Sequence, residues 1–161
     1  MRRVHYQESG KMSGELLLEY LDLPTIPDEW LPSLDQIKQM PLRSSVWFEE
    51  HNRFFLRKLS EKRIIDLLQP YFDYDITENI FYQYIGSELG IHTDIGRKTA
   101  INYIINTGGE NVVTKWFSGE EVIRQEIILD KRWHKIHVGI NHCVENITSD
   151  RYGISIYRTG Y

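Results

Sequence analysis

Hydrophobic and polar positions follow two different patterns before and after Pro70. Residues 14–32, GELLLEYLDLPTIPDEWLP, predict a short strand and then an irregular connection marked by prolines. Residues 51–69, HNRFFLRKLSEKRIIDLLQ, place apolar side chains at helical spacing between charged ones. They predict one amphipathic helix that covers a sheet and ends at Pro70. Its apolar positions are Phe55, Leu59, Ile64, Leu67 and Leu68.

After Pro70 the chain contains no proline and carries successive segments rich in Ile, Val, Tyr, Phe and Thr. Turn signals separate them at residues 87–90, 107–109, 118–119 and 148–150. With no helix between the strands a βαβ architecture is excluded, and a β-sandwich or a barrel remains. The seven predicted strands are residues 79–85, 99–106, 111–117, 120–129, 134–140, 142–147 and 152–158.

These patterns predict a mainly β fold of the jelly-roll type, a cupin-like double-stranded β-helix. The length of 161 residues predicts a single domain. Residues 1–70 would form a supporting strand and helix, and residues 71–161 would form the jelly-roll core.

Composition narrows the possible partners and compartment. The formal net charge of −4 does not favour nucleic acid as a partner. Cys143 is the only cysteine, which excludes an intrachain disulfide framework and a cysteine-rich zinc site. The N-terminus is too polar for a signal peptide, and no apolar run approaches the roughly 20 residues that span a bilayer. A cytoplasmic protein without a membrane partner is expected.

One short motif suggests metal chemistry. His92 and Asp94 are two positions apart, so in extended backbone both side chains point to one face. A third ligand is required, and the downstream candidates are His134, His137 and His142. The first two are three positions apart and face opposite sides of a strand, so they cannot both serve. His142 begins the last strand pair, which returns beside the middle strands in a closed sandwich. Two imidazoles and one carboxylate form the facial triad of non-haem Fe(II) oxygenases.

Further pieces follow the His-x-Asp pair in order. The strand TAINYIIN comes first, then His142 within NHCVEN, then Arg151 nine residues later within RYGIS. With this series, residues 79–158 resemble the small 2-oxoglutarate- and Fe(II)-dependent oxygenases of the prolyl 4-hydroxylase-like group. The resemblance implies that His92, Asp94 and His142 bind Fe(II).

The same resemblance implies how 2-oxoglutarate is held. Arg151 offers a planar fork of donors for the distal C5 carboxylate. The commoner arrangement has Ser or Thr two residues after the arginine, where this chain has Gly153, so Ser155 is a further candidate for this pocket. Other candidates are Tyr82, Tyr84 and Tyr103 for the C5 carboxylate and Asn102 for the C1 end. Because Asn102 and Tyr103 are adjacent on a strand, they should point to opposite faces.

The implied activity is hydroxylation of an unknown substrate with O₂ and with decarboxylation of 2-oxoglutarate to succinate and CO₂, ascorbate serving as an auxiliary reductant. Asp94 favours hydroxylation, because related halogenases have Gly or Ala there. The substrate would be a small molecule or a peptidyl side chain, with a slight preference for protein or peptide. Two alternatives stay open: a non-catalytic cupin-like binding module for a metal or small molecule, and a zinc hydrolase, which leaves Arg151 without a purpose.

Overall fold

The computed structural model describes residues 3–5, 16–43 and 54–158. In this part of the chain the secondary structure is mainly β. Two short α-helices, α1 (Leu34–Lys38) and α2 (Lys62–Leu68), accompany the strands. The strands are β1 (Arg3–His5), β2 (Leu16–Tyr20), β3 (Phe54–Lys58), β4 (Ile80–Ile85), β5 (Leu89–His92), β6 (Thr99–Asn106), β7 (Val113–Ser118), β8 (Glu121–Glu126), β9 (His134–His137), β10 (His142–Glu145) and β11 (Arg151–Ile156).

The strands form two antiparallel sheets. One has seven strands in the order β1-β2-β9-β6-β11-β4-β3, and the other has four in the order β5-β10-β7-β8. From β4 onward the pairing is nested: β4 pairs with β11, β5 with β10, β6 with β9, and β7 with β8. Nesting places the beginning of β10 beside the end of β5, although nearly 50 residues separate them in the sequence.

Two hydrophobic clusters cover the two faces of the seven-stranded sheet. The inner face carries Leu18 and Ile104, which pack with Trp116 from the four-stranded sheet. The indole of Trp116 also donates to the carbonyl of His137, which ties β7 to β9. The outer face packs against α2, as buried Ile64 and Leu68 join one cluster with side chains of β4, β6 and β11.

The seven strands predicted after Pro70 are all present, with ends that differ by a few residues. The prediction of one helix over residues 51–69 is wrong for residues 54–58, while residues 51–53 lie outside the described part. Residues 54–58 form β3, which pairs along its whole length with β4, and only Lys62–Leu68 is α-helical. Strand pairing thus overrides the helical spacing, and the ring of Phe55 stacks on that of Tyr84 across the pair at 4.6 Å.

The predicted turn at residues 87–90 is wrong at its end, because β5 begins at Leu89. β1, β2 and β3 also join the same sheet as the strands after Pro70, so the N-terminal part supplies sheet as well as helix. In residues 3–5, 16–43 and 54–158, no helix combines the length and apolar character needed to cross a membrane.

Candidate metal centre

Strand pairing brings the three predicted metal ligands together. His92 ends β5 and lies directly opposite His142, the first residue of β10. Asp94 follows two residues after His92, and its backbone N–H donates to the carbonyl of Val138 at 2.9 Å. The carboxylate is therefore fixed to the segment that leads into His142.

The ligand atoms converge on one point. The Nε2 atoms of His92 and His142 each lie 3.5 Å from Oδ1 of Asp94, and the two imidazole centroids are 4.3 Å apart. With metal–ligand bonds of about 2.1 Å, ligands at right angles are about 3.0 Å apart. A shift of roughly half an ångström would bring Asp94 to that spacing. Among the described residues, this is the one group of His, Cys, Asp and Glu side chains placed to hold a metal ion.

Backbone carbonyls fix the orientation of both imidazoles. Nδ1 of His92 is 2.7 Å from the carbonyl of Gly90, and Nδ1 of His142 is 2.8 Å from the carbonyl of Ile140. Because a carbonyl only accepts, each Nδ1 must donate, which leaves the lone pair of a neutral ring on Nε2. Metal-binding histidines are usually oriented in this way, by a hydrogen bond from the ring nitrogen that does not bind the metal.

The three side chains have different protonation tendencies. Burial raises the pKa of Asp94, but the hydrogen bond with His92 and the charge of Arg97 outweigh burial, and the pKa is lowered. Burial lowers the pKa of His92, but its hydrogen bonds with Asp94 and the Gly90 carbonyl outweigh burial, and the pKa is raised. Burial is the main reason why the pKa of His142 is lowered. Asp94 is thus ionised and His142 neutral at neutral pH, and a proton on His92 must leave before a metal binds.

Arg151 is a buried cation at the start of β11. The residue is 8% exposed, and Nη1 donates to the carbonyl of Thr107 at 2.8 Å. Among the described residues no carboxylate forms an ion pair with it, and burial lowers its pKa to about 10. A buried charge without a counter-ion is costly, so its position favours an anionic ligand.

A row of polar side chains crosses the inner face near Arg151. Ser155 lies opposite Asn102, which lies opposite His134 on the next strand. Ser155 Oγ and Asn102 Oδ1 are both buried without a hydrogen-bond partner. Burial, and to a smaller extent the charge of Arg151, lowers the pKa of His134 to about 4, so this ring is neutral at neutral pH. Unsatisfied buried polar atoms on the face that also carries the unneutralised Arg151 offer hydrogen-bond partners to a polar ligand group.

The three candidate tyrosines lie elsewhere. Tyr82 and Tyr103 stand opposite Ile154 and belong to the outer cluster that packs against α2. Tyr84 is also directed away from Ser155, stacks on Phe55, and donates to Asp150 at 2.8 Å. The geometry therefore gives no support to a tyrosine in the 2-oxoglutarate pocket, whereas Asn102 and Ser155 share the inner face with Arg151.

Arg97 is a site residue that sequence reasoning missed. Its Nε and Nη2 atoms donate to Oδ2 of Asp94 at 2.9 and 2.8 Å. The only signal in the sequence is a basic residue three positions after the aspartate, in the segment Ile95-Gly96-Arg97. A spacing of three occurs often by chance, so this signal becomes informative only once the turn is seen.

Comparisons with known proteins add no family to this geometry. No protein-family model matches the chain, and neither the curated proteins nor the solved structures give a match.

Proposed function

We propose that this protein is an Fe(II)- and 2-oxoglutarate-dependent dioxygenase that hydroxylates a small molecule or a peptidyl side chain. The metal would be held by Nε2 of His92, Oδ1 of Asp94 and Nε2 of His142. Imidazole and carboxylate ligands on one side of the ion suit Fe(II) and leave three coordination positions open.

The observation that carries this proposal is the buried, unneutralised Arg151. The triad alone would also suit a metal-binding module or a zinc hydrolase. Neither alternative explains why a guanidinium is buried on the face that also carries the unsatisfied atoms of Ser155 and Asn102. A dicarboxylate that chelates the metal at one end needs a cationic partner for its other end, and a guanidinium fork supplies it.

The nested strand pairing supports a jelly roll, the fold that we infer for the chain from β4 onward. Eight strands paired first with last, second with seventh, third with sixth and fourth with fifth form a long hairpin folded into two facing sheets. In such a fold the site lies between the sheets, where Trp116 and Ile104 already exclude water from one side.

Each group has a defined task under this proposal. Bound Fe(II) and 2-oxoglutarate supply the oxidative chemistry, which converts 2-oxoglutarate and O₂ to succinate and CO₂ and adds a hydroxyl group to the substrate. The carbonyls of Gly90 and Ile140 keep both imidazoles pointing at the metal position. Arg151 would neutralise and orient the distal carboxylate, Ser155 would add a hydrogen bond to it, and Asn102 would bond to the C1 end.

The test is succinate formation by purified protein given Fe(II), 2-oxoglutarate, ascorbate and O₂. We expect slow succinate formation without a primary substrate, and faster formation with the right one. The His142→Ala variant should form none. The His137→Ala variant removes another buried histidine, outside the triad, and should retain the activity.

Other outcomes point to the alternatives. Tight metal binding without succinate under any condition would leave a non-catalytic binding module. Stoichiometric zinc in anaerobically purified protein, with metal binding unaffected by 2-oxoglutarate, would favour a hydrolase. Normal succinate formation by His142→Ala would overturn the assignment of the triad.

A further inference from the structure

Arg97 donates hydrogen bonds to one oxygen of the Asp94 carboxylate and not to the other. Both of its contacts go to Oδ2 of Asp94, whereas the two histidine Nε2 atoms face Oδ1. The division is complete: one oxygen is held by the protein and the other is directed at the metal position. Charge-assisted bonds of this kind are roughly twice as strong as neutral ones.

The turn after Asp94 is built to hold Arg97 in place. Gly96 has a positive φ of 82°, which folds the chain so that Arg97 returns beneath Asp94. The next carbonyl, that of Lys98, accepts from the backbone N–H groups of Val138 and Gly139. The guanidinium also lies over the ring of Tyr157 at 4.7 Å, just beyond β11, and the side chain is 11% exposed. Backbone, stacking and burial thus restrict the arginine to one orientation.

We infer that Arg97 is a positioning residue that keeps Asp94 a one-oxygen ligand of the metal and so preserves the third open coordination position. A free carboxylate can chelate a metal through both oxygens. If Oδ2 also bound, the site would keep two open positions instead of three. Coordination through Oδ2 would require breaking both bonds to Arg97. This inference rests on the proposed metal site, but it does not depend on which oxidation the site performs.

Two simpler roles make different predictions. If Arg97 acted only through its charge, removing the charge would strengthen the attraction between the site and a divalent cation, and lysine would replace it fully. If Arg97 only stabilised the turn, its variants would lower the stability of metal-free protein and leave the metal spectrum unchanged. A positioning role requires the two N–H donors of the guanidinium. Lysine, which offers a single ammonium, should therefore not replace arginine here.

The experiment uses Co(II) as a redox-inert probe of the full-length protein. Co(II) affinity and the visible spectrum of the bound ion, which reports coordination number, are measured for wild type, Arg97→Lys and Arg97→Gln. The matched control is Arg124→Lys, since Arg124 donates through Nε and Nη2 to a single oxygen of Glu126 on β8, two strands from His142 in the four-stranded sheet. Urea unfolding of each metal-free protein reports folding.

We expect both Arg97 variants to bind Co(II) with an altered spectrum that reports one more ligand oxygen, and Arg124→Lys to match wild type. A wild-type spectrum in both Arg97→Lys and Arg97→Gln would overturn the inference, as would full replacement by lysine alone. If both variants fail to fold without metal, Arg97 has a structural role and the inference is wrong.

The outcomes also separate this inference from the proposed function. Absence of Co(II) binding by wild type would remove the metal site and both conclusions with it. An altered Co(II) spectrum of the variants in a protein that forms no succinate would leave the role of Arg97 standing and refute the oxygenase assignment.

Discussion

Replacing Arg151 with methionine should stabilise the protein and abolish 2-oxoglutarate binding at the same time. Burial lowers the pKa of this guanidinium to about 10 from an ordinary value of 12.5. At 1.36 kcal/mol per pKa unit, the charged form is disfavoured in the folded state by about 3 kcal/mol. At pH 7 the group is charged in both the folded and the unfolded chain, so the whole cost applies.

Removing the charge removes this cost, but losing the hydrogen bond to the Thr107 carbonyl takes back about 1 kcal/mol of the stabilisation. We therefore expect Arg151→Met to raise the free energy of unfolding by about 2 kcal/mol in the absence of 2-oxoglutarate. Methionine is an unbranched chain that fills the volume of the arginine stem without a charge. Urea unfolding at pH 7 measures the difference, and Arg151→Lys, which keeps a charge without the fork, is the matched control.

Ligand dependence is the second half of this test. With Mn(II) bound, 2-oxoglutarate at about 100 times its dissociation constant should stabilise wild type by about 2.7 kcal/mol. Losing a buried charge pair costs about 3–5 kcal/mol of binding, so the same concentration should leave Arg151→Met unchanged. A less stable Arg151→Met that still responds to 2-oxoglutarate would refute both the electrostatic reasoning and the anchoring role.

Three further expectations concern pH and packing. Because the pKa of His92 is raised, Mn(II) affinity should fall about tenfold per pH unit below that pKa, and titrations showing no change between pH 7.5 and 5.5 would contradict the release of a proton. His134 is protonated less readily in the folded than in the unfolded chain. The free energy of unfolding therefore has its full value above about pH 6.5 and falls as the pH drops toward 4. Between pH 7.5 and 5 this group should cost metal-free protein about 2 kcal/mol, and urea unfolding of His134→Phe should show a correspondingly weaker pH dependence. Gly153→Ser should destabilise the fold by about 2–3 kcal/mol in thermal unfolding, because a Cβ there would lie 2.3 Å from the Tyr103 carbonyl oxygen; an unchanged melting temperature would show that the strands can separate.

A side chain at position 153 would clash with β6, which gives a physical reason why this chain has Gly where the resembled family commonly has Ser or Thr. The position two residues after Arg151 lies against the β6 backbone, at a shift in strand register. A side chain there has no room, so a hydroxyl can reach the inner face only further along β11. Ser155 provides it, with a buried and unsatisfied Oγ opposite Asn102.

Ambiguity between helix and strand was the main error from sequence. In residues 54–58 the apolar spacing suits a helix, yet these residues pair with β4. Local spacing reports which side chains can share a face, but the backbone partner of a segment is set by distant residues. The same limit applies to Tyr82, Tyr84 and Tyr103: alternation predicts that neighbours diverge, and it leaves open which face is the inner one.

The sequence by itself determined the strand-rich character of the chain after Pro70 and the local His92-x-Asp94 geometry, because both depend on neighbours within a few residues. Tertiary structure decided the rest. The opposition of His92 and His142 depends on nested strand pairing, and the isolation of Arg151 from any described carboxylate depends on packing between the sheets. The hydrogen bonds from Arg97 to Asp94 depend on a turn with positive φ at Gly96. Such contacts join distant segments or rare backbone conformations, which hydrophobic periodicity does not encode.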